Sequence, residues 1–598
     1  MDDLTLLKKF EPIVHFTKGE LFFPCAVDEY LRRCSLIMRD KRGNEQVLAN
    51  EGELSAKKLA EFKEVPPDHI LFLRLVDEPM TVLEYQSWLL RPDKPTFKSQ
   101  GRLARVGLLS RVIDSFFDAS LLIRGVVPGG TTAAAEVKYR EILSKDSRYI
   151  YYGRVVREGG YIALHYIFFY VMNDFRSTFH GTNDHESDWE QVFVYLSDED
   201  DPVPVWVAYA SHDFSGDDLR RRWDDPELIK EGAHPVVFAG AGSHSSYYLP
   251  GEYLISIEPK FLRVINDVVS SLRLFWATTL GQGATSEVIE KEARLIMPYI
   301  DYARGDGIGI GPGQEKSWSP ILLTENMGWA EQYRGLWGMD TRDRFNGERG
   351  PAGPKFNRDG TVRMSWYDPL GWAGLDKVDP PEFLTADLEG HIAALFEEGE
   401  SIEKEISDAR KKLRLLELEE QSLRRTGYLS KIYKAHQKIL ETAENDLRAL
   451  YARRIDMTEL LTASQSYLQA IDGGDLGDPQ AHITVKRYPE PPLGPVGKYA
   501  ALWAAISGGL LLFAFAALML FLPSKLILWG VVVAGIFLAI ESIIWGRFTS
   551  FLLNATILLA IATSLVLIWN FLWQIVVLSL FAIVMLSIAR NLREVAGR

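Results

Sequence analysis

Cysteine is nearly absent. Cys25 and Cys34 are the only two in 598 residues, which leaves no disulfide framework and no zinc-ribbon spacing. Basic charge is in deficit: 66 Lys and Arg face 80 Asp and Glu, giving a net charge of -14 and a pI near 5.4. With no basic stripe to track phosphates, a nucleic-acid partner is excluded. The chain opens Met1-Asp2-Asp3-Leu4, lacking the basic, apolar and small-residue order of a secretory signal, so its long N-terminal portion is expected to stay in the cytoplasm. Long hydrophobic runs are missing as well, until the last hundred residues. The mean hydropathy of -0.04 averages a polar body with an apolar tail.

That tail is almost continuously apolar from 502 to 588. Residues 499–590 divide into about four spans, at 499–522, 526–545, 551–568 and 571–588, each long enough to cross about 30 Å of hydrocarbon as a helix. Pro523-Ser524-Lys525 and Gly546-Arg547 punctuate the first three, and Trp569-Asn570 offers a tight turn between the last two. Lys486, Arg487 and Lys498 precede the bundle and Arg590, Arg593 and Arg598 follow it. By the positive-inside tendency the protein is an integral, multi-pass membrane protein with its N-terminal domain and C-terminus in the cytoplasm. Glu541 falls inside the second span, where an ionisable group is costly; the plain account is an acid neutral or paired near the helix end beside Arg547.

Ahead of the membrane segment, 385–470 reads as a charged helical hairpin. Ile402, Ile406, Ala409, Leu413 and Leu416 step by three and four, a break falls near Thr426-Gly427, and a second arm runs through Ile432, Ile439, Ala443 and Leu450. A coiled coil of this kind pairs either within the chain or between copies, as a homo-oligomer. Residues 471–498, with Asp472-Gly473-Gly474-Asp475 and Pro489-Glu490-Pro491-Pro492, make a linker. Residues 1–384 hold strand-like runs at 161–170, 191–196, 203–210 and 235–239 between Gly, Pro, Asn and Asp, with a helical insertion around 260–279. The fold class expected is α+β: a β-sandwich-like domain with helical insertions, a helical stalk and a C-terminal helical membrane bundle.

Chemistry concentrates in His185-Glu186-Ser187-Asp188-Trp189-Glu190, which runs straight into the strand-like Gln191-Val192-Phe193-Val194. Side chains two apart on a strand share a face, so Asp188 and Glu190 are expected to point one way, with His185 folding back beside them. A divalent cation is the natural occupant. Carboxylates with one imidazole favour Mg, Ca or Mn, with Zn a lesser fit in the absence of thiolates. Without a cation at least one of the carboxyl groups would have a raised pKa. His244, in a Gly-Ser-His turn, either contacts the site or is a structural histidine. His185-Glu186 does not begin a zincin motif, because Trp189 stands where the second His must lie. The alternating glycines of 305–313 match neither a dinucleotide fingerprint nor a P-loop, and no Gly-x-Ser-x-Gly elbow surrounds Ser243.

The aromatic run 161–170, the loop after Asn173-Asp174 and the His-x-x-Asp-Trp-Glu signature resemble the Vps62-related proteins and, more distantly, the necrosis-inducing NPP1-like proteins with their Gly-His-Arg-His-Asp-Trp-Glu heptapeptide. Phe10-Glu11-Pro12-Ile13-Val14, Leu21-Phe22-Phe23-Pro24, Ala241-Gly242-Ser243-His244, Gly335-Leu336-Trp337-Gly338 and Gly350-Pro351-Ala352-Gly353-Pro354 follow the Vps62-related pattern in order, over about residues 5 to 380. The NPP1-like resemblance implies a divalent cation held by Asp174, His185, Asp188 and Glu190, with Asp184 as a rival for the first. Ser187 and Glu186 replace that heptapeptide's second His and its Arg, which puts in doubt any activity needing the second imidazole. The expected function is a membrane-anchored protein that binds a divalent cation and recognises a ligand, such as a lipid or glycan headgroup, at the bilayer. One alternative is a metal-dependent hydrolase of phosphodiester or lipid substrates, with Glu186 or His244 as acid–base group; another is a scaffold oligomerising through its coiled coil.

Overall fold

The computed structural model describes the chain apart from residues 98–107, 109–110, 113–114, 116–126, 128, 175–183, 212–215, 258–296, 342–347, 484–487, 492–496 and 596–598. The helix expected at 260–279, most of the loop between Asp174 and His185, and the basic residues Lys486, Arg487 and Arg598 lie outside the described residues. The chain forms two compact units. One comprises Met1–Phe97, Val126–Tyr253 and Asp301–Glu490; the other comprises Lys98–Gly125, Leu254–Ile300 and Pro491–Arg598. The class is α+β, as expected.

The first unit is built on the antiparallel pair Tyr161–Asn173 and His185–Ser197, each of 13 residues, in register from Tyr161 opposite Ser197 to Asn173 opposite His185. They are the middle of a six-stranded sheet that runs Ile321–Leu322, Tyr151–Glu158, Tyr161–Asn173, His185–Ser197, Pro204–Tyr209, Arg221–Arg222. Both faces of this pair are covered, which is why its sequence is apolar almost throughout rather than alternating. On one face Ile162, Leu164, Tyr166, Phe168, Val192 and Val194 share a core with Val14, Val237, Ala239 and Ile310. Those four belong to a second sheet, ordered Lys230–Glu231, His234–Ala239, Ile13–His15, Gly309–Ile310, with Ser246–Tyr247 paired to His234–Ala239. Two sheets closing on one apolar layer give the sandwich arrangement.

On the other face Ile167, Phe169, Val171 and Trp189 pack with Ala133, Ala135, Tyr139 and Ile142 of the helix Gly130–Lys145, with Leu36, Leu71 and Leu73 of a three-stranded sheet, and with Trp329 and Trp337. Trp189 meets Trp337 edge to face at 5.0 Å and Phe169 at 4.8 Å. This aromatic packing holds the end of the strand pair that carries the acidic residues.

The same unit continues into two long helices, Pro381–Arg424 and Ser430–Asp472, separated by a turn that includes Thr426-Gly427. Their packed seam runs through Ile392, Leu395, Ile402 and Ile406 on the first and His436, Ala443 and Ser464 on the second. Cross-pairs Glu398–Arg453 and Glu403–Arg454 flank it at 2.6 and 2.9 Å. The second arm differs from expectation: Ile432 and Ile439 face outward, while His436 turns inward and its Nε2 lies 2.9 Å from the Leu416 carbonyl oxygen.

Among the described residues of the second unit three helices are long and apolar enough to cross a membrane: Gly497–Phe521, Leu526–Ile544 and Phe548–Val595. The third holds both of the last two expected spans in 48 residues, with non-helical backbone at Phe571. Trp569-Asn570 contains neither Gly nor Pro, and the break falls one residue on, at Phe571, where two helical stretches meet at a kink on the expected boundary between the two spans. Glu541 pairs with Arg111 rather than with Arg547.

Candidate functional site

The acidic cluster sits at the end of the central strand pair, and its local geometry turns on Ser187. This residue has φ +56, in the left-handed region, inside an otherwise extended strand. The consequence is a break in the face alternation. Asp188 lies opposite Tyr170, in the sandwich core, whereas Glu186 lies opposite Met172, in the tryptophan-lined core. Two carboxylates two residues apart therefore serve different surroundings.

Asp188 is nearly buried and saturated with donors. Its Oδ2 accepts from His244 Nδ1 at 2.9 Å and from Asn173 Nδ2 at 3.2 Å, and its Oδ1 accepts from the Trp189 amide at 3.0 Å. His244 is fully enclosed, stacked face to face on Tyr170 at 3.8 Å, with its Nε2 3.7 Å from Glu20 Oε1. Burial pulls the imidazole pKa down, but the bonds and charges of Asp188 and Glu20 outweigh it and hold the pKa up at about 10. His244 is thus a buried imidazolium between two carboxylates. It occupies φ +57 in the turn 240–245, which is closed by the amides of Gly240 and His244 on the Ser245 and Gly240 carbonyls.

Glu20 anchors that turn: its Oε2 accepts from the Gly242 amide at 2.8 Å, and its Oε1 from the amides of Leu21 and Phe22. Gly242 has φ +73, and its carbonyl accepts the Asp174 amide at 3.0 Å. A Cβ there would come within 2.3 Å of Asp174 Oδ1, so the glycine is what lets the Asp174 carboxylate approach the turn. Beside it Ser243 Oγ donates to Asp301, 2.7 and 2.8 Å from its two oxygens, and Tyr247 donates its hydroxyl proton to Asp301 at 2.8 Å.

Of the other expected ligands, Glu190 and His185 feel the charge of Asp188. Burial and the Asp188 charge push the Glu190 carboxyl well above the ordinary carboxylate range, opposed by His244 and Arg363. His185 is half-buried, its Nδ1 2.7 Å from the Ser187 carbonyl oxygen; burial lowers its pKa, while the charge of Asp188 raises it. Asp184, the rival to Asp174, accepts from Thr132 Oγ1 at 2.7 Å and so tethers the strand start to the helix Gly130–Lys145. Among the described residues no three His, Cys, Asp or Glu side chains are gathered at metal-ligating geometry.

Glu186 accepts three backbone amides, from Leu75 at 3.1 Å, Val76 at 2.7 Å and Met339 at 3.0 Å. Burial nevertheless raises its pKa to about 7. Its carboxylate fastens two loops to the strand, on the side away from Asp188. Sequence reasoning missed Glu20, Asn173, Tyr170 and Asp301. Ser243 and His244 carried a signal, the Gly-Ser-His turn; Glu20 and Asp301 stand alone in their segments and reach the cluster only through the sandwich.

No protein-family model and no curated protein matches the chain. Among solved structures it is similar to "NLPPya in complex with mannosamine", at 17% identity over 17% of this chain and 46% of that one, with a TM-score of 0.14. A similar stretch is shared with "Toxin fold for microbial attack and plant defense", at 19% identity over 15% of this chain and 38% of that one, TM-score 0.13. Necrosis and Ethylene inducing Protein 2 from the causal agent of cocoa's Witches Broom disease gives 24% identity over 17% and 46%, TM-score 0.15. The chain spans less than half the length of each of these structures. At such scores the similarity is confined to a short stretch and decides neither fold nor activity for the whole chain.

Proposed function

We propose that the chain is a membrane-anchored recognition protein whose first unit takes up a divalent cation at Asp188, Glu190, His185 and Asp174 and thereby holds a lipid or glycan headgroup. The observation that carries this reading is the charge balance at Asp188. Glu190 is pushed toward its neutral form by burial and by the charge of Asp188, an unfavourable state that a cation would relieve, while His244 lies between Asp188 and Glu20 and competes for that cation's place. A site that strains to ionise its carboxylates fits a hard cation, and its donors, carboxylate oxygens with one imidazole, fit Mg, Ca or Mn better than Zn. Such a cation would neutralise the Asp188–Glu190 pair and offer coordination positions to ligand oxygens.

This chain's own residues would do the positioning. Gly242 admits Asp174, Asn173 and His244 orient Asp188, and the Trp189 ring packing fixes the strand. Uptake competes with the His244–Asp188 bond for Asp188 Oδ2. The hydrolytic reading gains nothing from Glu186, whose carboxylate is already held by three amides. The positive-inside tendency of Arg590 and Arg593 supports a cytoplasmic placement for the C-terminus, and the first unit shares that side where Phe548–Val595 makes two crossings about its kink at Phe571, four in all.

The test is isothermal titration of the full chain in detergent micelles with Ca, Mg, Mn and Zn, followed by phospholipid headgroups and amino sugars in the metal's presence. Uptake by the wild type that disappears in Asp188→Ala with Glu190→Ala is the expected result. Uptake unaltered by that double substitution, or none at all, rejects the reading.

A further inference from the structure

The helix Val82–Leu89 is set on the first unit with its aliphatic residues facing out. Thr81 caps it through a reciprocal box with Glu84, and its inner side is fastened by Trp88, which is buried and donates from Nε1 to Glu136 Oε2 at 3.0 Å. Tyr85 stacks on Trp88 at 5.6 Å. The outer side carries Val82, Leu83, Leu89 and the capping Leu90, which are 59%, 80%, 38% and 81% exposed. At 100° per residue these four fall within a sector of about 120° centred on Gln86. A capped and anchored helix cannot roll to hide that stripe.

We infer that this outward face rests on the lipid surface, so that the first unit contacts the bilayer directly at Val82, Leu83, Leu89 and Leu90. Two observations select lipid as the occupant. First, eight residues after Leu90 the chain enters the segment Lys98–Gly125, which belongs to the unit containing the apolar helices. Second, within that unit Arg111 forms an ion pair with Glu541 of the helix Leu526–Ile544, and a Cβ on Gly508 of the helix Gly497–Phe521 would stand 3.2 Å from the Arg111 carbonyl oxygen. The chain leaving Val82–Leu89 is thereby committed to the membrane helices.

This inference rests on the apolar helices crossing a bilayer, and its test separates the two ideas. The full chain is placed in phospholipid nanodiscs as Leu83→Cys or Leu90→Cys, each labelled with an environment-sensitive fluorophore. Val203→Cys, exposed on the first unit, and Leu520→Cys, exposed on an apolar helix, serve as references. Cys25 and Cys34 are buried and their thiol pKa values are pushed up, so unsubstituted protein supplies a low background. Labels at 83 and 90 should emit to the blue of the label at 203, be quenched by nitroxide lipids, and be several-fold less quenched by iodide, as at 520. Iodide quenching at 83 and 90 equal to that at 203, with 520 still shielded, overturns the inference alone. Shielding from iodide without nitroxide quenching also overturns it, because protein then covers the face. Iodide access at 520 as well overturns the membrane reading and this inference together.

Discussion

Gly242 and Ser187 show how single backbone conformations determine what the acidic site can be. Both sit in the left-handed region, at φ +73 and +56. Gly242 tolerates this at no steric cost and leaves room for Asp174; Ser187 does not, and its strain is the reason Glu186 and Asp188 part company. Gly242→Ala is expected to destabilise the protein by about 1–2 kcal/mol through left-handed strain, with more from the 2.3 Å approach to Asp174 Oδ1. Thermal denaturation followed by tryptophan fluorescence checks the stability, and cation titration should show weakened uptake. The sequence made the neighbourhood of His185, Asp188 and Glu190 legible, because consecutive residues on a strand cannot be far apart. The separate surroundings of Glu186 were not legible, since no propensity announces a positive φ at a serine.

At the scale of elements, the outward helix Val82–Leu89 and the buried helix Gly130–Lys145 are joined by one carboxylate. Burial alone would raise the Glu136 pKa, but donation from Arg91, Trp88 and Arg140 reverses the shift and holds it below the ordinary 4.5. The partners are close, Arg140 Nε at 2.6 Å and Arg91 Nη2 at 2.9 Å. A carboxyl whose folded pKa is depressed adds stability that is complete above its unfolded pKa and disappears as pH falls through the folded value. The junction should therefore hold at pH 7 and weaken below about pH 4.5. Glu136→Gln should flatten that part of the stability–pH curve and loosen Val82–Leu89, read as faster amide hydrogen exchange over Tyr85 and Trp88. The hairpin of Pro381–Arg424 and Ser430–Asp472 was legible as two arms and a break. On the inner face of its second arm Ala443 was legible and His436 was not, because a histidine can replace an aliphatic residue once a carbonyl such as that of Leu416 awaits it.

For the whole molecule the telling contact is Arg111 with Glu541, separated by 430 positions and joining a segment inserted into the first unit's chain to an apolar helix. Both side chains are largely withdrawn from solvent. Removing one partner of a buried pair strands the other, so Glu541→Leu or Arg111→Leu alone should cost about 3–5 kcal/mol, whereas Arg111→Leu with Glu541→Leu should recover most of it. Thermal unfolding of the three variants in detergent gives the coupling: additive losses would show that the two charges act independently.

What this sequence determined by itself is whatever depends on neighbours along the chain. The apolar period and length of the tail make membrane-length helices, the continuous aromatic and β-branched run makes a strand buried on both sides, and the three-four steps make the helical hairpin. Tertiary structure alone decided which distant groups meet. Glu20, His244 and Asp301 converge on Asp188 and its neighbours because two sheets close on one core, and Arg111 reaches Glu541 because a buried charge in an apolar helix is stable only beside its opposite. A chain's local preferences carry no record of such meetings, since their energy exists only once the intervening segments have packed.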